Sequence, residues 1–437
     1  MDQLNQLKQE VSSLRTELAI CKNPKNSGNS SIPPSKDENR IPRNKSLRQK
    51  SDKKVGGQPG HEGNTLKMVE MPDQHIEHIP DYCSNCGKDL SVVKEELVEK
   101  RQVIDLPVIM PVCTEHTIYK KTCSCGHTNT STFPFQVKSP IQYGPRTEAM
   151  ISYLHSRQYM PFNRIVEYMH DVFGLLISEG GIHCLLKRFT EKAENVYLEI
   201  KRRIELSDYI GTDETGARVN GKRNWFWAWQ NEHLTYIVHS LNRGINTIKT
   251  VFKNGLPNAN LMHDRWASHF HCRAKNHQIC IAHLLRELTY LEELYKSKWA
   301  MGLKNLLKQS IELKKSLTLQ DYDKPNIKRQ EYEVELTNLL HYSIDLSHKK
   351  AITLQKSLRK YRDNILVFLY YPKIPPDNNG SERSIRNVKV KQKVSGQFKS
   401  AEGARIYAIN RSVIDTIIKS DQNVLDGLIL IANFDTD

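Results

Sequence analysis

The sequence predicts a multidomain α+β protein, with an N-terminal helix and a small cysteine-containing domain ahead of its largest domain. The first residues carry a heptad-like apolar repeat, which is typical of a coiled-coil helix. Two closely spaced cysteine pairs follow in a segment of short alternating runs. From residue 208 the apolar period changes from helical to alternating, and helical periodicity returns after residue 275. At 437 residues the chain is long enough for two or three domains.

Residues 206–400 are predicted to form the largest domain. The predicted elements are, in order, strands at 209–219, 224–230 and 234–240, a helix at 245–252, a strand at 260–263 and a helical insertion at about 275–370. A helical pattern returns after the double proline at 375–376. Three antiparallel strands, a helix, a further strand and later helices form the element order of an RNase H-like α/β domain.

Residues 1–22 are predicted to form a coiled-coil helix. Apolar residues recur there at spacings of three and four, at Leu4, Leu7, Val11, Leu14 and Leu18. This seam is too short to be stable alone, so we expect it to assist self-association. Packing of the helix against the chain's own core is an equally good interpretation.

Residues 23–66 are predicted to form a basic flexible arm. They are rich in Asn, Ser, Gly and Pro, and ten Lys or Arg residues against three Asp or Glu lie between Lys22 and Lys54. This composition cannot bury a core, and its charge favours an arm that becomes ordered on DNA. A passive linker is the alternative, although a linker does not require such a charge.

Two further helical segments flank the largest domain. In residues 141–205 a helix ends at Gly174 and Ser178 can cap the next one, which resembles a DNA-binding helix-turn-helix. A plain helical hairpin is at least as common. Residues 401–437 are predicted to form a helical C-terminal tail.

The overall charge indicates a polyanionic partner. Lys plus Arg number 64 against 49 Asp plus Glu, which gives a formal charge of +15. No run of about 18 apolar residues predicts a membrane span. The polar N-terminus and the nine cysteines favour a reducing, cytoplasmic compartment, where clustered cysteines bind metal more often than they form disulfides.

Four cysteines in residues 67–140 predict a small zinc-binding domain. Cys83-x-x-Cys86 and Cys123-x-Cys125 are each followed by a glycine, which allows a tight turn with backbone N–H groups facing sulfur. Four thiolates bind Zn²⁺ tetrahedrally and leave no open position, so the ion would be structural. Reduced, unliganded cysteines are the alternative, and two nearby residues could substitute as ligands, Cys113 and His127.

Three carboxylates of the largest domain predict a second metal site. Asp213 lies in the first strand and Asp264 follows a later one, and these strands are neighbours in an RNase H-like sheet. Glu214 points away from Asp213, because side chains alternate along a strand. Adjacent carboxylates repel, and a divalent cation removes that cost. Glu382, from a helix packed on the sheet, would complete an oxygen cage for two Mg²⁺ or Mn²⁺ ions acting on a phosphodiester.

The helix that carries Glu382 is otherwise basic. Asn378 or Asn379 could cap its first turn through a side-chain oxygen. An exposed helix with an ion pair between Glu382 and Arg386 is the plainer interpretation. In the functional interpretation its cations contact DNA phosphates, and the candidates are Arg383, Arg386, Lys389 and Lys393.

Together these motifs resemble the DDE transposases of the insertion sequence 66 family, over nearly the whole chain. The matching motifs are Asn26-Ser27-x-Asn29-Ser30-Ser31-x-Pro33-Pro34-Ser35, Gly56-Gly57-Gln58-Pro59-Gly60-His61, Asp213-Glu214-Thr215, Cys280-Ile281-Ala282-His283-Leu284 and Asp377-Asn378-Asn379-x-x-Glu382-Arg383-x-Ile385-Arg386. The family's acidic triad falls on Asp213, Asp264 and Glu382. One departure follows Glu382 on the same helix, where the usual Arg-Lys-Asn is replaced by Lys391-Gln392-Lys393.

The resemblance implies a prokaryotic transposase that binds transposon ends and catalyses metal-dependent cleavage and strand transfer. Its implied partners are double-stranded DNA at the ends and the target, further copies of itself, and accessory proteins of the same element. The implied location is the cytoplasm, at the nucleoid when DNA is bound. A catalytically inactive, transposase-derived DNA-binding or regulatory protein is the alternative, and a nuclease without strand transfer is a third interpretation.

Overall fold

A computed structural model of the chain describes residues 66–434, together with scattered positions between residues 6 and 29. The chain divides into two compact units. One comprises residues 42–111, and the other comprises residues 1–41 and 112–437. The strands of the second unit begin with a small antiparallel hairpin of β1 (Lys120–Thr122) and β2 (Thr128–Thr130).

A mixed five-stranded sheet forms the centre of the second unit. Its strands, β3 to β7, are Tyr209–Val219, Lys222–Gln230, Thr235–Ser240, Leu256–His263 and Ala274–Ile279. Their order in space is β5-β4-β3-β6-β7. Strands β3, β4 and β5 are antiparallel, whereas β6 and β7 run parallel to β3. The predicted α+β class and the four predicted strands are confirmed, and β6 begins four residues earlier than expected.

Strand β7 was not predicted from the sequence. Residues Ala274–Ile279 include four consecutive polar side chains, so they show no clear alternation. The strand lies at the edge of the sheet, where pairing with β6 needs only backbone groups. The helical insertion expected from about residue 275 therefore begins after β7, at Ile281.

Helices surround the sheet and form the insertion. In chain order, α1 to α12 are Pro145–Ser152, Phe162–Phe173, Glu179–Glu205, Ile245–Val251, Ala267–Phe270, Ile281–Tyr295, Lys298–Ser316, Ile327–His341, Lys349–Lys360, Asn379–Ser395, Ala401–Lys419 and Val424–Ala432. A π-helical turn, Tyr153–Arg157, follows α1. No helix in the part of the chain that the structure describes is long and apolar enough to cross a bilayer.

Alternation along β4 gives the sheet two buried faces. Trp227 and Trp229 are buried in one core with Phe189 of α3. Phe226 is buried in another core with Val388 of α10, together with Tyr407 of α11. The predicted C-terminal tail is therefore integral to the fold, because α11 buries a continuous run of side chains from Ile406 to Asp415.

The insertion, helices α6 to α9, has a hydrophobic core of its own. Side chains from each of its helices meet in one cluster, among them Leu288, Trp299, Leu336 and Leu354. Met262 and Ile279 of the sheet belong to the same cluster. The insertion is thus anchored on β6 and β7, beside the end of the sheet where Asp264 lies.

Residues 141–205 have the predicted succession of helices. Gly174 ends α2 with a φ of 64°, a conformation that favours glycine. Ser178 caps α3 by accepting a hydrogen bond from the amide of Gly181. These contacts fit both a helix-turn-helix and a plain hairpin, so DNA binding by this segment stays a prediction.

The N-terminal predictions fall largely outside the described residues. Leu4 and Leu7 of the expected coiled-coil seam lie outside them, whereas Val11, Leu14 and Leu18 are helical and exposed. Of the expected flexible arm, the structure describes positions 24 to 26, 29 and 66. Asn29 is buried and donates a hydrogen bond to Glu293 of α6. This part of the arm is therefore docked on the insertion.

Candidate active site

Asp213 lies within β3, and Asp264 follows the last residue of its parallel neighbour β6. In the register of β3 with β6, Gly211 lies opposite Met262, so continuing the pairing by two residues sets Asp213 opposite Asp264. The Oδ1 atom of Asp264 accepts a hydrogen bond from the amide of Trp266, which fixes the turn after the strand. The sequence prediction that these two carboxylates are neighbours agrees with this register.

Helix α10 packs over the face of β3 that carries Asp213. Gly211 and Asp213 share a face because side chains alternate along a strand. A Cβ at Gly211 would lie 2.7 Å from Ser381 Oγ and 2.9 Å from Asn378 Oδ1, at the start of α10. Asn378 is the N-cap residue, but its side chain does not cap the helix as expected. Its amide group instead donates to the carbonyl of Thr212, which ties α10 to β3.

Glu382 extends from the first turn of α10 toward α6. Its Oε1 lies 3.8 Å from His283 Nε2 and 3.7 Å from Arg286 Nη2. This oxygen is buried and accepts no hydrogen bond from the residues that the structure describes. The ion pair between Glu382 and Arg386 that the plainer interpretation required does not form among these residues. Glu382 therefore faces His283 and Arg286 of α6 rather than the cations of its own helix.

The charges of the three carboxylates influence one another, although no three acidic, His or Cys side chains of the described residues are grouped closely enough to hold a metal ion. Burial raises the pKa of Asp213 well above its ordinary range, and the charges of Glu214, Asp264 and Glu382 raise it further. A hydrogen bond from the amide of Glu214 acts in the opposite direction. In the metal-free protein this repulsion destabilises the ionised form of Asp213, and a bound cation would relieve it.

Glu214 and His269 form a buried pair that was not predicted from the sequence. Glu214 lies 2.7 Å from Arg243 Nε and 2.9 Å from His269 Nε2. The same nitrogen of His269 lies 3.8 Å from Asp264 Oδ1. Hydrogen bonds from His269 and Arg243 offset the effect of burial and lower the pKa of Glu214. His269 thus stands between the two acids, and no spacing in the sequence indicated this.

Cys280 and His283, from one of the motifs that carry the resemblance, brace this site. Cys280 is the buried N-cap residue of α6, and its Sγ accepts a hydrogen bond from the amide of Asn378. His283, one turn into α6, faces Glu382 at the distance given above. The two residues thus fix the starts of α6 and α10 against each other. This agrees with a structural role for the motif.

Each predicted cysteine pair forms a closed turn. Gly87 and Gly126 have φ values of 71° and 86°, which favour glycine. Backbone amides of Asn85 and Cys86 lower the pKa of Cys83, and the amide of Cys125 lowers that of Cys123. Amides that face sulfur favour the thiolate, which is the form that binds zinc.

Comparison with protein families identifies the chain. Residues 140–406, which include all three carboxylates, match the model described as Transposase IS66 family. The chain belongs to the IS66 transposase family. Residues 80–126 match the zinc-finger binding domain of transposase IS66, and residues 2–67 match a family of unknown function, DUF6444. A comparison with curated proteins found no match.

The zinc-finger match of this IS66 family member supports a structural zinc ion. The match includes the last two predicted ligands at its C-terminal end and the first two near its start. Among the residues that the structure describes, no three His, Cys, Asp or Glu side chains are grouped closely enough to hold a metal ion. Binding of one zinc by all four cysteines therefore stays a prediction.

The cations of α10 differ in their surroundings. Arg383, Arg386 and Lys393 are exposed, as DNA contacts require. Lys389 instead donates a hydrogen bond to the carbonyl of Gly216 in β3. Lys391, in the segment that departs from the usual IS66 motif, is buried and donates to the carbonyls of His155 and Met160. Lys391 thus connects α10 to the π-helical turn and to the segment before α2 rather than contacting solvent, and burial lowers its pKa to about 7.

Substituting Gly211 with Ala is expected to lower metal-dependent DNA cleavage by about 10²-fold, without weakening DNA binding. The new Cβ would lie 2.6 Å from Gln230 Nε2 and within 3 Å of Ser381 and Asn378, so the start of α10 must shift. A displacement of about 1 Å at catalytic groups costs rates of that order. Cleavage and binding of transposon-end DNA measure the two effects.

Gly216→Ala is the matched control in the same strand. The nearest atom to a Cβ at Gly216 is Arg223 Nε, at an ordinary contact distance of 3.5 Å. This variant should cleave like the wild type. Equal activities of the Gly211 and Gly216 variants would contradict the role of close packing between α10 and β3.

Proposed function

We propose that the chain is a DDE DNA transposase that cleaves transposon ends and transfers strands with a metal site of Asp213, Asp264 and Glu382. The electrostatic interaction among these three carboxylates carries the proposal. They come from β3, from the end of β6 and from α10, and the charges of Asp264 and Glu382 add to the effect of burial in raising the pKa of Asp213. Such an arrangement is unfavourable for folding, so a function that requires it is the simplest explanation.

The sheet supports assignment to the RNase H-like class. Three antiparallel strands are followed by two parallel ones, and the first strand lies in the middle, in the order β5-β4-β3-β6-β7. In this arrangement the first and fourth strands, β3 and β6, are neighbours. The fold-level comparison is an analogy, and the function rests on the site itself.

The residues present fit divalent Mg²⁺ or Mn²⁺. All three ligands offer carboxylate oxygens, which these cations prefer. Glu382 Oε1 is buried and accepts no hydrogen bond from the part of the chain that the structure describes, so its lone pairs are available to a cation. When bound, two such ions activate an attacking water or DNA 3′-hydroxyl and neutralise charge at the phosphate.

The surrounding side chains position these ligands. Arg286 and His283 flank Glu382, and His269 holds Glu214 beside Asp264. Arg383, Arg386 and Lys393 are exposed on the helix of Glu382, where they can bind DNA phosphates. Lys389 is not included in this set of DNA contacts, because it donates a hydrogen bond to a backbone carbonyl of β3.

The remaining parts of the proposal concern partners and location. Double-stranded DNA at the transposon ends and the target is the substrate, and the N-terminal helix assists self-association. Accessory proteins of the same element are candidate partners, and Cys83, Cys86, Cys123 and Cys125 hold a structural Zn²⁺. The protein acts in the prokaryotic cytoplasm, at the nucleoid.

An assay of purified protein with end-labelled transposon DNA tests the function. With Mg²⁺ or Mn²⁺ we expect cleavage that leaves a 3′-hydroxyl, followed by joining of that end to target DNA. EDTA should abolish both products but leave DNA binding. Binding of the ends with no cleavage in either metal would favour the inactive DNA-binding protein. Cleavage without joining, on a substrate that carries a free 3′-hydroxyl end, would favour a nuclease.

A further inference from the structure

A cavity of about 850 Å³ lies beside α10, at the end of the sheet where β3 begins and β4 ends. Arg383 and Arg386 of α10 line it, together with Arg157 from the π-helical turn after α1. Two separate parts of the chain thus direct guanidinium groups into one space. This cavity is distinct from the carboxylate site, which lies farther along β3.

Among the described residues the three arginines have no ion pair, whereas each acid of the cavity has a hydrogen-bond or ion-pair partner. Within residues 66–434, Arg157, Arg383 and Arg386 form no ion pair and no side-chain hydrogen bond. Each of the four carboxylates on the wall has a partner: Asp208 lies 3.1 Å from Lys373, Asp415 lies 2.6 Å from Arg411, Glu232 lies 3.1 Å from His233, and Asp377 accepts from the amide of Asn379. With six Lys or Arg against four Asp or Glu among its lining residues, the cavity carries net positive charge.

Lys419 adds further positive charge at the wall. Its Nζ donates to the carbonyls of Asn231 and Leu234 and to Gln230 Oε1. Burial lowers its pKa to about 8, with a further contribution from the charge of Arg383. Because its hydrogen bonds are already made, Lys419 shapes the wall, and the three arginines are the groups free to bind an anion.

We propose that this cavity binds the phosphodiester backbone of the DNA next to the cleaved position, on the side of β4 and α11. This inference rests on the proposed function. Helix α10 carries both Glu382 and two of the arginines, so one DNA strand can contact both sites. Guanidinium groups suit phosphates because they donate in a planar fork. Arg157 brings a contact from outside the RNase H-like domain.

The distance between the two sites fixes which phosphates are involved. Tyr209 lines the cavity and Asp213 lies four residues along the same strand. At about 3.3 Å per residue these positions are about 13 Å apart. Successive phosphates of one DNA strand rotate around the helix axis as they advance along it, so a separation of about 13 Å in space places the contact about two steps from the scissile phosphate.

Binding of Arg157→Gln to DNA with single neutral methylphosphonate linkages tests the proposal. In EDTA and about 0.1 M salt, losing one phosphate contact should weaken binding about tenfold and lower the salt slope by about one. With a neutral linkage about two steps from the scissile phosphate, the wild type should lose a similar factor in affinity, and the variant should lose no further affinity. Arg157→Lys should restore the salt slope, which excludes misfolding as the cause.

Arg273→Gln is the matched control, because Arg273 is exposed at the start of β7 and does not line the cavity. The loss of DNA-binding affinity caused by Arg273→Gln should add to the loss caused by the neutral linkage. Additive losses for Arg157→Gln as well would overturn the proposal. So would competition by inorganic phosphate at low concentration, which would indicate a site for a free anion. Since binding is measured without metal, a protein that fails to cleave DNA can still show the non-additive losses expected for Arg157→Gln and the neutral linkage.

Discussion

Replacing Glu382 with Gln is expected to lower metal-dependent cleavage and joining by at least about 10³-fold, with little change in the binding of transposon ends. The substitution keeps the shape of the side chain but removes the charge that a divalent cation requires. Metal ions stabilise transition-state charge by several kcal/mol, and each 1.4 kcal/mol or so is about tenfold in rate. Cleavage in Mg²⁺ and end binding in EDTA measure the two properties.

The control for this substitution is Glu402→Gln. Glu402 occupies the first turn of α11, as Glu382 occupies that of α10. Its side chain is half exposed and lies 3.4 Å from Lys187, outside the carboxylate site. This variant should cleave at the wild-type rate. Full cleavage by Glu382→Gln would remove Glu382 from the metal site and with it the proposed triad.

The strands that carry the site were predictable because their patterns are local. Alternation marked β3, β4 and β5, and tight turns joined them, so sequence alone located Asp213 within a strand. The prediction that β6 is the parallel neighbour of β3 rested only on the order of the predicted elements. Strand β7 could not be recognised, because an edge strand with four polar residues depends on its partner rather than on its own pattern.

The immediate surroundings of the site were less predictable, because they depend on contacts between distant parts of the chain. The sequence predicts that Asn378 caps a helix, yet its side chain donates a hydrogen bond to the carbonyl of Thr212, 166 residues away in sequence. The sequence predicts that Lys389 contacts DNA, yet it donates a hydrogen bond to the carbonyl of Gly216. His269 carried no signal at all, since its partner Glu214 lies 55 residues away. Helical spacing identifies a face, and packing decides what that face contacts.

The segment that contains the predicted zinc ligands lacks a hydrophobic core. No residue between 66 and 140 belongs to any of the four apolar cores of the described structure. Large apolar side chains in this segment are exposed, among them Val92, Val98 and Val103 at 93%, 96% and 91%. A domain this small needs another source of stability, and structural zinc supplies about 10–16 kcal/mol in comparable domains.

Removing zinc is therefore expected to unfold residues 80–126 while the sheet and its helices remain folded. Cys83→Ser, or chelation of the wild type, should release the single zinc ion of each chain and expose this segment to protease. Metal analysis and limited proteolysis measure both. Cys184→Ser, at an exposed position in α3, should retain zinc. If Cys113→Ser also lost zinc, Cys113 would be a ligand in place of one of the four predicted cysteines. A wild-type segment that contains no metal and still resists protease would contradict the zinc site altogether.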